Sequence, residues 1–278
     1  MGKTVLAAVL GSLLAAEGRR VLILESDPRE NLHHLFGVPP SGGEVVEAGA
    51  NLLLRNASPR SILDDVVREK LLVRALSRRV LASPVYQHFA DGAPGLKEMM
   101  LLGHAMLVAA GEHKTEADVV VIDAPASGHG LSLLAAPLLV AEVIGTGPLG
   151  EMASRIARLV GDPARSAIVL ATHAEEMPIQ EALETIALLR ERVGRPPELV
   201  VANALYPPLP EGRRPSGLPV EATQLWAQRR RTHERELARL AEAWKGPTVL
   251  LPMVSEGFGP ALVARLAPLL RAQLPGAS

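Results

Sequence analysis

The chain has 278 residues, of which 48 % are hydrophobic and 21 % are charged, and its formal charge at pH 7 is −1. This length suffices for one large α/β domain or two small ones, and the near-neutral charge gives no indication of binding to nucleic acid or anionic lipid. The chain contains no cysteine, which excludes disulfides, thiolate zinc sites and a cysteine nucleophile and fits a cytoplasmic location.

The first segment combines a phosphate-binding sequence with a predicted helix. Gly2-Lys3-Thr4 matches the end of the loop G-x-x-x-x-G-K-[ST], whose backbone N–H groups wrap a polyphosphate. Residues 3–17 have the apolar density of a helix packed on a sheet, and Gly18 is a suitable stop. A secretory signal peptide is the alternative, but the continuation into an apolar strand over 21–25 favours an α/β unit.

An acidic residue, Asp27, follows the predicted strand over 21–25. The strand is continuously apolar, which is typical of parallel strands covered on both faces. Open α/β sheets place their ligand chemistry at the carboxyl ends of such strands, so Asp27 is a candidate site residue. A helix cap or a turn before Pro28 explains Asp27 equally well at this point.

The sequence pattern of the region from 37 to 116 differs from that of its surroundings. We predict an inserted helical subdomain over 56–116. One predicted helix, over 96–110, is apolar on most faces and carries three methionines, Met99, Met100 and Met106. Methionines in this arrangement usually fill a core. They can also line a groove for a flexible hydrophobic client, and the sequence leaves both interpretations open.

A second predicted buried strand, over 119–123, ends in Asp123 and is typical of the Walker B segments that support Mg²⁺. A backbone N–H near Gly128 is placed to sense a γ-phosphate, which hydrolysis would remove. His129 is more readily explained as a hydrogen-bonded structural histidine. The apolar stretch 131–149 is nearly long enough to span a bilayer, but its glutamate and two prolines favour a buried or amphipathic helix.

Three further strands are predicted over 167–171, 199–203 and 248–251, with helices between them. This alternation predicts one α/β domain over residues 1–278, with a doubly wound, mostly parallel sheet of the P-loop NTPase kind. Asn203 ends a strand, where its carboxamide can contact a purine edge or form a turn. The segment 206–219 is rich in proline and glycine and is predicted to be a surface loop.

Together these motifs resemble the ArsA-type anion-transporting ATPase family, which includes the ATPase that delivers tail-anchored membrane proteins. The resemblance covers nearly the whole chain and implies binding of ATP and Mg²⁺. It implies that Lys3 neutralises the β- and γ-phosphates, that Thr4 and Asp123 support Mg²⁺, and that Asp27 positions or deprotonates the attacking water. It further implies nucleotide contacts from Gly2, Asn31, Gly128, Asn203, Pro252 and Val254.

The family resemblance also implies a cytoplasmic ATPase that closes as a dimer over nucleotide, either with itself or with an ArsA-like paralogue. Hydrolysis would then switch a helical surface that binds a partner or a hydrophobic protein client. No nucleic-acid partner and no stable membrane insertion are expected. The alternative is a catalytically impaired adaptor that keeps the fold and pairs with an intact paralogue. A positioning ATPase on DNA or membrane is disfavoured by the neutral charge and the lack of a basic amphipathic terminal helix.

The sequence departs from the family pattern at its start, because the glycines that open the phosphate-binding loop and the strand before them do not precede Gly2. We interpret this as a translation start assigned too late, in preference to a truncated paralogue. ATP hydrolysis is expected if the loop is completed upstream, and weak or absent ATP binding if the truncation is real. The lack of cysteine removes the arsenite site and the zinc clasp known in the family, so the cargo stays undefined.

Overall fold

The computed structural model describes residues 2–27, 29–70, 78–79, 81–84, 86–87, 95–125, 127–209 and 219–274. The chain divides into two compact units. We call residues 10–166 the four-stranded unit, and residues 1–9 together with 167–278 the three-stranded unit. Helix α1 (Lys3–Ala16) begins in the three-stranded unit and ends in the four-stranded one.

The four-stranded unit contains a mostly parallel sheet with the strand order β2-β3-β1-β4. Its elements in chain order are β1 (Val21–Glu25), α2 (Leu32–Phe36), β2 (Val46–Gly49), β3 (Leu52–Asn56), α3 (Pro59–Lys70), α4 (Leu96–Ala109), β4 (Val119–Asp123), α5 (Ser127–Ile144) and α6 (Gly147–Gly161). Strand β1 pairs in parallel with both β3 and β4, and β2 is antiparallel to β3. All five residues of β1 are buried. The apolar sequence of its first four residues predicts this burial, whereas the burial of Glu25 was not predicted.

The three-stranded unit contains a fully parallel sheet with the order β5-β6-β7. Its elements are β5 (Val169–His173), α7 (Glu176–Arg192), β6 (Leu199–Leu205), α8 (Val220–Ala243), β7 (Thr248–Pro252) and α9 (Pro260–Arg271). Its core combines one face each of α7, β6 and α8, and includes Ile179, Ile186, Val200, Leu240 and Trp244.

Strand β7 lies at the edge of this sheet, and a side chain forms hydrogen bonds with backbone groups of the strand. The Gln273 side chain accepts a hydrogen bond from the Leu250 N–H at 3.0 Å and donates one to the Leu250 carbonyl at 3.0 Å. The amide of Gln273 therefore pairs with Leu250 as a neighbouring strand would.

The predicted mostly parallel α/β architecture is confirmed, but the strands form two sheets where the sequence predicts one. The apolar stretch 131–149 is not one continuous helix, because α5 ends at Ile144 and Gly145 adopts a left-handed φ of 63° before α6 begins. Among the residues that the structure describes, no helix is both long and apolar enough to cross a membrane.

Two helices, α3 and α4, lie within the predicted helical insertion, parts of which are outside the described residues. Met99 and Met106 on α4 are 1 % and 4 % exposed, so these two methionines fill a core rather than line an open groove. Of the predicted surface loop over 206–219, residues 210–218 lie outside the described residues.

Candidate functional site

The amino end of α1 carries the predicted phosphate-binding residues. Gly2 adopts a left-handed φ of 74°, and its carbonyl accepts the Leu6 N–H at 2.9 Å. The N–H groups of Lys3, Thr4 and Val5 precede the first intrahelical hydrogen bond and have no acceptor within the helix. No acidic residue lies in the first turn. Together with the helix dipole and the Lys3 ammonium, these N–H groups fit an anion such as a polyphosphate.

Asn203 lies directly against Gly2 in the three-stranded unit. A Cβ atom added to Gly2 would overlap Nδ2 of Asn203, so the close approach requires glycine at position 2. The other end of the amide, Oδ1, accepts the N–H of Ala204 at 2.8 Å. The structure therefore brings together a predicted phosphate-binding residue and the residue predicted to contact the base.

The backbone after Asn203 is strained. Ala204 has a φ of 55°, which is uncommon for a residue with a side chain, and the register of β6 against β7 shifts between Ala202 and Leu205. Such outliers concentrate at functional sites. Pro252 ends β7 as the register partner of Leu205, and Val254 follows two residues later. Asn203, Pro252 and Val254 thus share the carboxyl end of neighbouring strands, and their contact with a base stays a prediction.

Asp27 lies in the four-stranded unit, in a loop that we call the Asp27 loop: Ser26, Asp27 and Arg29 to Asn31. The Asp27 side chain is exposed, and its Oδ1 accepts the Arg29 N–H at 2.9 Å. The Asp27 carbonyl accepts a hydrogen bond from the Asn56 side chain at the end of β3. The loop backbone is therefore anchored while the carboxylate faces solvent.

The far side of the Asp27 loop is tied to the segment before β2. The Glu30 carboxylate accepts the N–H groups of Ser41 at 2.7 Å and Gly42 at 3.1 Å. Glu30 has a left-handed φ of 46°. Asn31 immediately precedes α2, and its side chain makes no capping hydrogen bond there.

A buried acidic residue that the sequence reasoning missed, Glu25, ends β1. Glu25 is only 2 % exposed. The two oxygens accept the N–H groups of Asn31 at 2.6 Å and Leu32 at 3.2 Å. The available sequence signal was an acidic residue at the end of an otherwise apolar strand, two positions before Asp27.

Asp123 ends β4 and is the register partner of Glu25 on the neighbouring strand β1. Asp123 is 6 % exposed, and its carbonyl accepts the hydroxyl hydrogen of Ser26 at 3.3 Å. Gly128 lies in the first turn of α5. The four-stranded unit therefore gathers Asp27, Asn31 and Asp123 around the carboxyl ends of β1 and β4.

The donor atoms of the predicted metal ligands suit Mg²⁺. The Thr4 hydroxyl and the Asp123 carboxylate provide oxygen, which Mg²⁺ prefers, and Mg²⁺ usually completes its octahedron with water and substrate phosphates. Within the described part of the chain, no group of three or more His, Asp or Glu side chains could hold a metal on its own. The donor chemistry of each residue thus fits a metal that binds together with a nucleotide.

Next to Asn56, the buried Arg55 joins β3 to the helices. Its guanidinium donates to the Gly43 carbonyl at 2.9 Å and to Asp65 of α3 at 2.6 Å, and lies 3.2 Å from Nε2 of His104 on α4. Burial and the neighbouring Arg55 lower the pKa of His104 to about 4. His104 is therefore neutral near pH 7, and its Nε2 accepts the hydrogen bond from Arg55.

These features are those of a nucleotide-binding protein of the P-loop NTPase class. The family model described as anion-transporting ATPase matches residues 1–154 of the 278 residues, and the chain belongs to this family. The predicted family resemblance is thereby confirmed.

Two relatives illustrate the similarity. The chain is 30 % identical over 205 residues to the ATPase BagA of Mycobacterium tuberculosis, a match that covers 68 % of this chain and 58 % of BagA. It is 29 % identical over 139 residues to the ATPase GET3 of Malassezia globosa, covering 49 % of this chain and 39 % of that protein. The chain thus spans less than two thirds of the length of either relative.

Proposed function

We propose that this chain is an Mg-ATP-binding ATPase that couples nucleotide-dependent dimer closure and hydrolysis to a helical surface for a client or partner. The observation that carries the proposal is the pair of carboxylates at the carboxyl ends of neighbouring parallel strands. Asp27 is exposed on an anchored loop after β1, and Asp123 is buried at the end of β4. Phosphoryl transfer needs such positioned charge more than it needs covalent chemistry.

Each predicted site residue has a role in this proposal. Lys3 and the N–H groups at the start of α1, with Gly2, bind the phosphates, while Thr4 and Asp123 support Mg²⁺. Mg²⁺ supplies neutralisation of the phosphate charge when it is bound. Asp27 orients or deprotonates the attacking water. The nucleotide contacts are completed by Asn31, Gly128, Asn203, Pro252 and Val254.

The partner surface in this proposal is helical and apolar. At the end of α5, Leu139 and Val143 are 60 % and 83 % exposed and lie four residues apart, so they share a face of the helix. Exposed apolar residues that cluster in this way are typical of interaction surfaces. We propose a homodimer or a heterodimer with a related ATPase, acting in the cytoplasm.

The proposal is tested by measuring Mg-ATP binding by calorimetry and phosphate release on the same sample. Asp27→Asn is expected to reduce kcat by about 100-fold or more, as loss of a general base does, with Mg-ATP affinity nearly unchanged. The matched control is Asp118→Asn. Asp118 is an exposed aspartate just before β4, and it accepts the Arg20 N–H through an oxygen that asparagine retains.

Two results would overturn this assignment. Equal turnover by the wild type and Asp27→Asn removes Asp27 from its role, and absence of both binding and turnover favours the adaptor function. Light scattering with and without Mg-ATP tests the dimer, for which a nucleotide-dependent doubling of mass is expected.

A further inference from the structure

We propose that Glu25 is a positioning residue that holds the Asp27 loop in the arrangement needed for hydrolysis. The catalytic part of this inference rests on the proposed ATPase function. The structural part concerns only the contacts of Glu25 in the four-stranded unit.

Glu25 closes the loop at its base. It is the last residue of β1, and its two carboxylate oxygens accept the N–H groups of Asn31 and Leu32, where α2 begins. The two ends of the Asp27 loop are therefore joined through one side chain. The strand itself is fixed by parallel pairing with β3 and β4.

Burial makes this contact strong and specific. Glu25 is 2 % exposed, and a carboxylate removed from water needs hydrogen bonds to compensate for lost hydration. Hydrogen bonds to an ionised acceptor are roughly twice as strong as neutral ones. Removal of the charge should therefore loosen Asn31 and Leu32 more than loss of an exposed contact would.

The geometry also indicates that Glu25 acts through the loop and not on the substrate. Each of its oxygens has a backbone donor, whereas the Asp27 carboxylate is exposed and accepts the Arg29 N–H through Oδ1. The position of the Asp27 carboxylate depends on the loop backbone. A displacement of a catalytic group by about 1 Å can reduce the rate of catalysis about 100-fold.

Other hydrogen bonds hold the Asp27 loop at other points. Asn56 holds the Asp27 carbonyl, Ser26 reaches β4, and Glu30 reaches Ser41 and Gly42. These contacts connect the loop to β3, to β4 and to the segment before β2. Glu25 instead joins the end of β1 to the start of α2.

Glu25→Gln is the variant that tests this role, because it keeps the size of the side chain but replaces one acceptor oxygen by a donor. We expect kcat for ATP hydrolysis to fall by about 10-fold to 100-fold, with KM changed less than threefold. The matched control is Glu47→Gln on β2, an exposed glutamate for which no change is expected.

The same substitution in an Asp27→Asn background shows whether Glu25 acts through Asp27. We expect no further loss of kcat there, because residues that act as a unit are non-additive. An equal loss of kcat in both backgrounds would overturn the inference, as would an unchanged kcat in the single variant.

A second readout does not depend on catalysis. Amide hydrogen exchange, followed by NMR, should be at least about 10-fold faster at Asn31 and Leu32 in Glu25→Gln, while the amides of β1 stay protected. Unchanged exchange at these two amides overturns the inference. If the wild type hydrolyses no ATP, the proposed function fails, and the exchange rates alone decide whether Glu25 holds the loop.

Glu25→Asp provides a further variant should the glutamine variant not fold. It keeps the charge but shortens the side chain by one methylene group, so it cannot reach both amides equally. Relative to the wild type, we expect a lower kcat and faster exchange at Asn31 and Leu32. Wild-type values for both quantities would contradict the role of Glu25.

Discussion

The carboxyl ends of the two sheets differ in chemistry. In the four-stranded unit, buried charged residues lie at or next to the ends of β1, β3 and β4: Glu25, Arg55 and Asp123 are between 2 % and 7 % exposed. In the three-stranded unit the corresponding positions carry the neutral side chains Thr172, His173 and Asn203, since burial lowers the pKa of His173. The special feature there is the backbone strain at Ala204.

This difference separates two ways of building a site. Buried charges are tolerated only when they are hydrogen-bonded or paired. Glu25 at the end of β1 accepts two backbone N–H groups, and Arg55 on β3 forms an ion pair with Asp65. At the end of β6, the close contact between Gly2 and Asn203 requires a residue without a side chain at position 2. The proposed function needs both, because charge serves phosphate chemistry and neutral amides suit a base.

The largest expected effect tests whether the three-stranded unit depends on apolar packing. Leu240 on α8 is 1 % exposed and belongs to the core with Val200 and Trp244. Leu240→Ala should lower the free energy of unfolding by about 2–5 kcal/mol, through lost transfer energy and a residual cavity. Urea denaturation followed by circular dichroism measures the change.

Leu225 on the same helix provides the matched control, since its side chain is 55 % exposed. Leu225→Ala should change the free energy of unfolding by less than about 0.5 kcal/mol. Equal effects of the two substitutions would contradict the packing of α8 on the sheet.

The next effect tests whether the stability of the four-stranded unit depends on the protonation of His104. His104 has a pKa of about 4 in the folded protein, below its usual 6.5, so protons bind more tightly to the unfolded chain. The free energy of unfolding should therefore fall as the pH drops from about 6.5 to about 4, by roughly 3 kcal/mol in total. Urea midpoints at a series of pH values measure this loss.

The His104→Gln variant isolates that contribution, because glutamine can accept the hydrogen bond from Arg55 but does not titrate. Its unfolding free energy should fall less steeply between pH 6.5 and pH 4 than that of the wild type. The same slope in both proteins would refute the role of His104.

The smallest effect sharpens the contrast by testing strain at the end of β6. Ala204→Gly should raise the free energy of unfolding by about 1 kcal/mol, because glycine adopts a φ of 55° without the penalty of a side chain. Ala202→Gly, in the buried regular part of the same strand, should lower it by a similar amount. Thermal unfolding of both variants shows the opposite signs, and a destabilised Ala204→Gly would argue against strain.

Much of the fold follows from local sequence patterns. Continuous apolar runs predicted the positions of β1 and β4. β1 is buried throughout, as strands covered on both faces are. β4 was also predicted to be buried, but it lies at the edge of its sheet and its first four residues are half-buried. β5 was predicted two residues too early, since it ends in the polar Thr172 and His173. β2 was not predicted, because a short edge strand with Glu47 and Gly49 lacks an apolar signature.

The candidate site was predicted where a polar residue follows an apolar run, as at Asp27, Asp123 and Asn203. Glu25 and Arg55 were missed because their burial depends on partners that no local pattern indicates. Arg55 meets His104, which is 49 positions away in the sequence, and Glu25 binds backbone groups that carry no sequence signal.

The amide of Gln273 has a further consequence for the behaviour of the protein at high concentration. An open strand edge offers N–H and C=O groups on which other molecules can assemble into intermolecular β-sheet, and Leu250 adds a side chain that is 40 % exposed. By occupying both backbone groups of Leu250, Gln273 blocks the centre of this edge. We therefore expect Gln273, which is distant in sequence from every proposed catalytic group, to hinder the formation of intermolecular β-sheet at this edge.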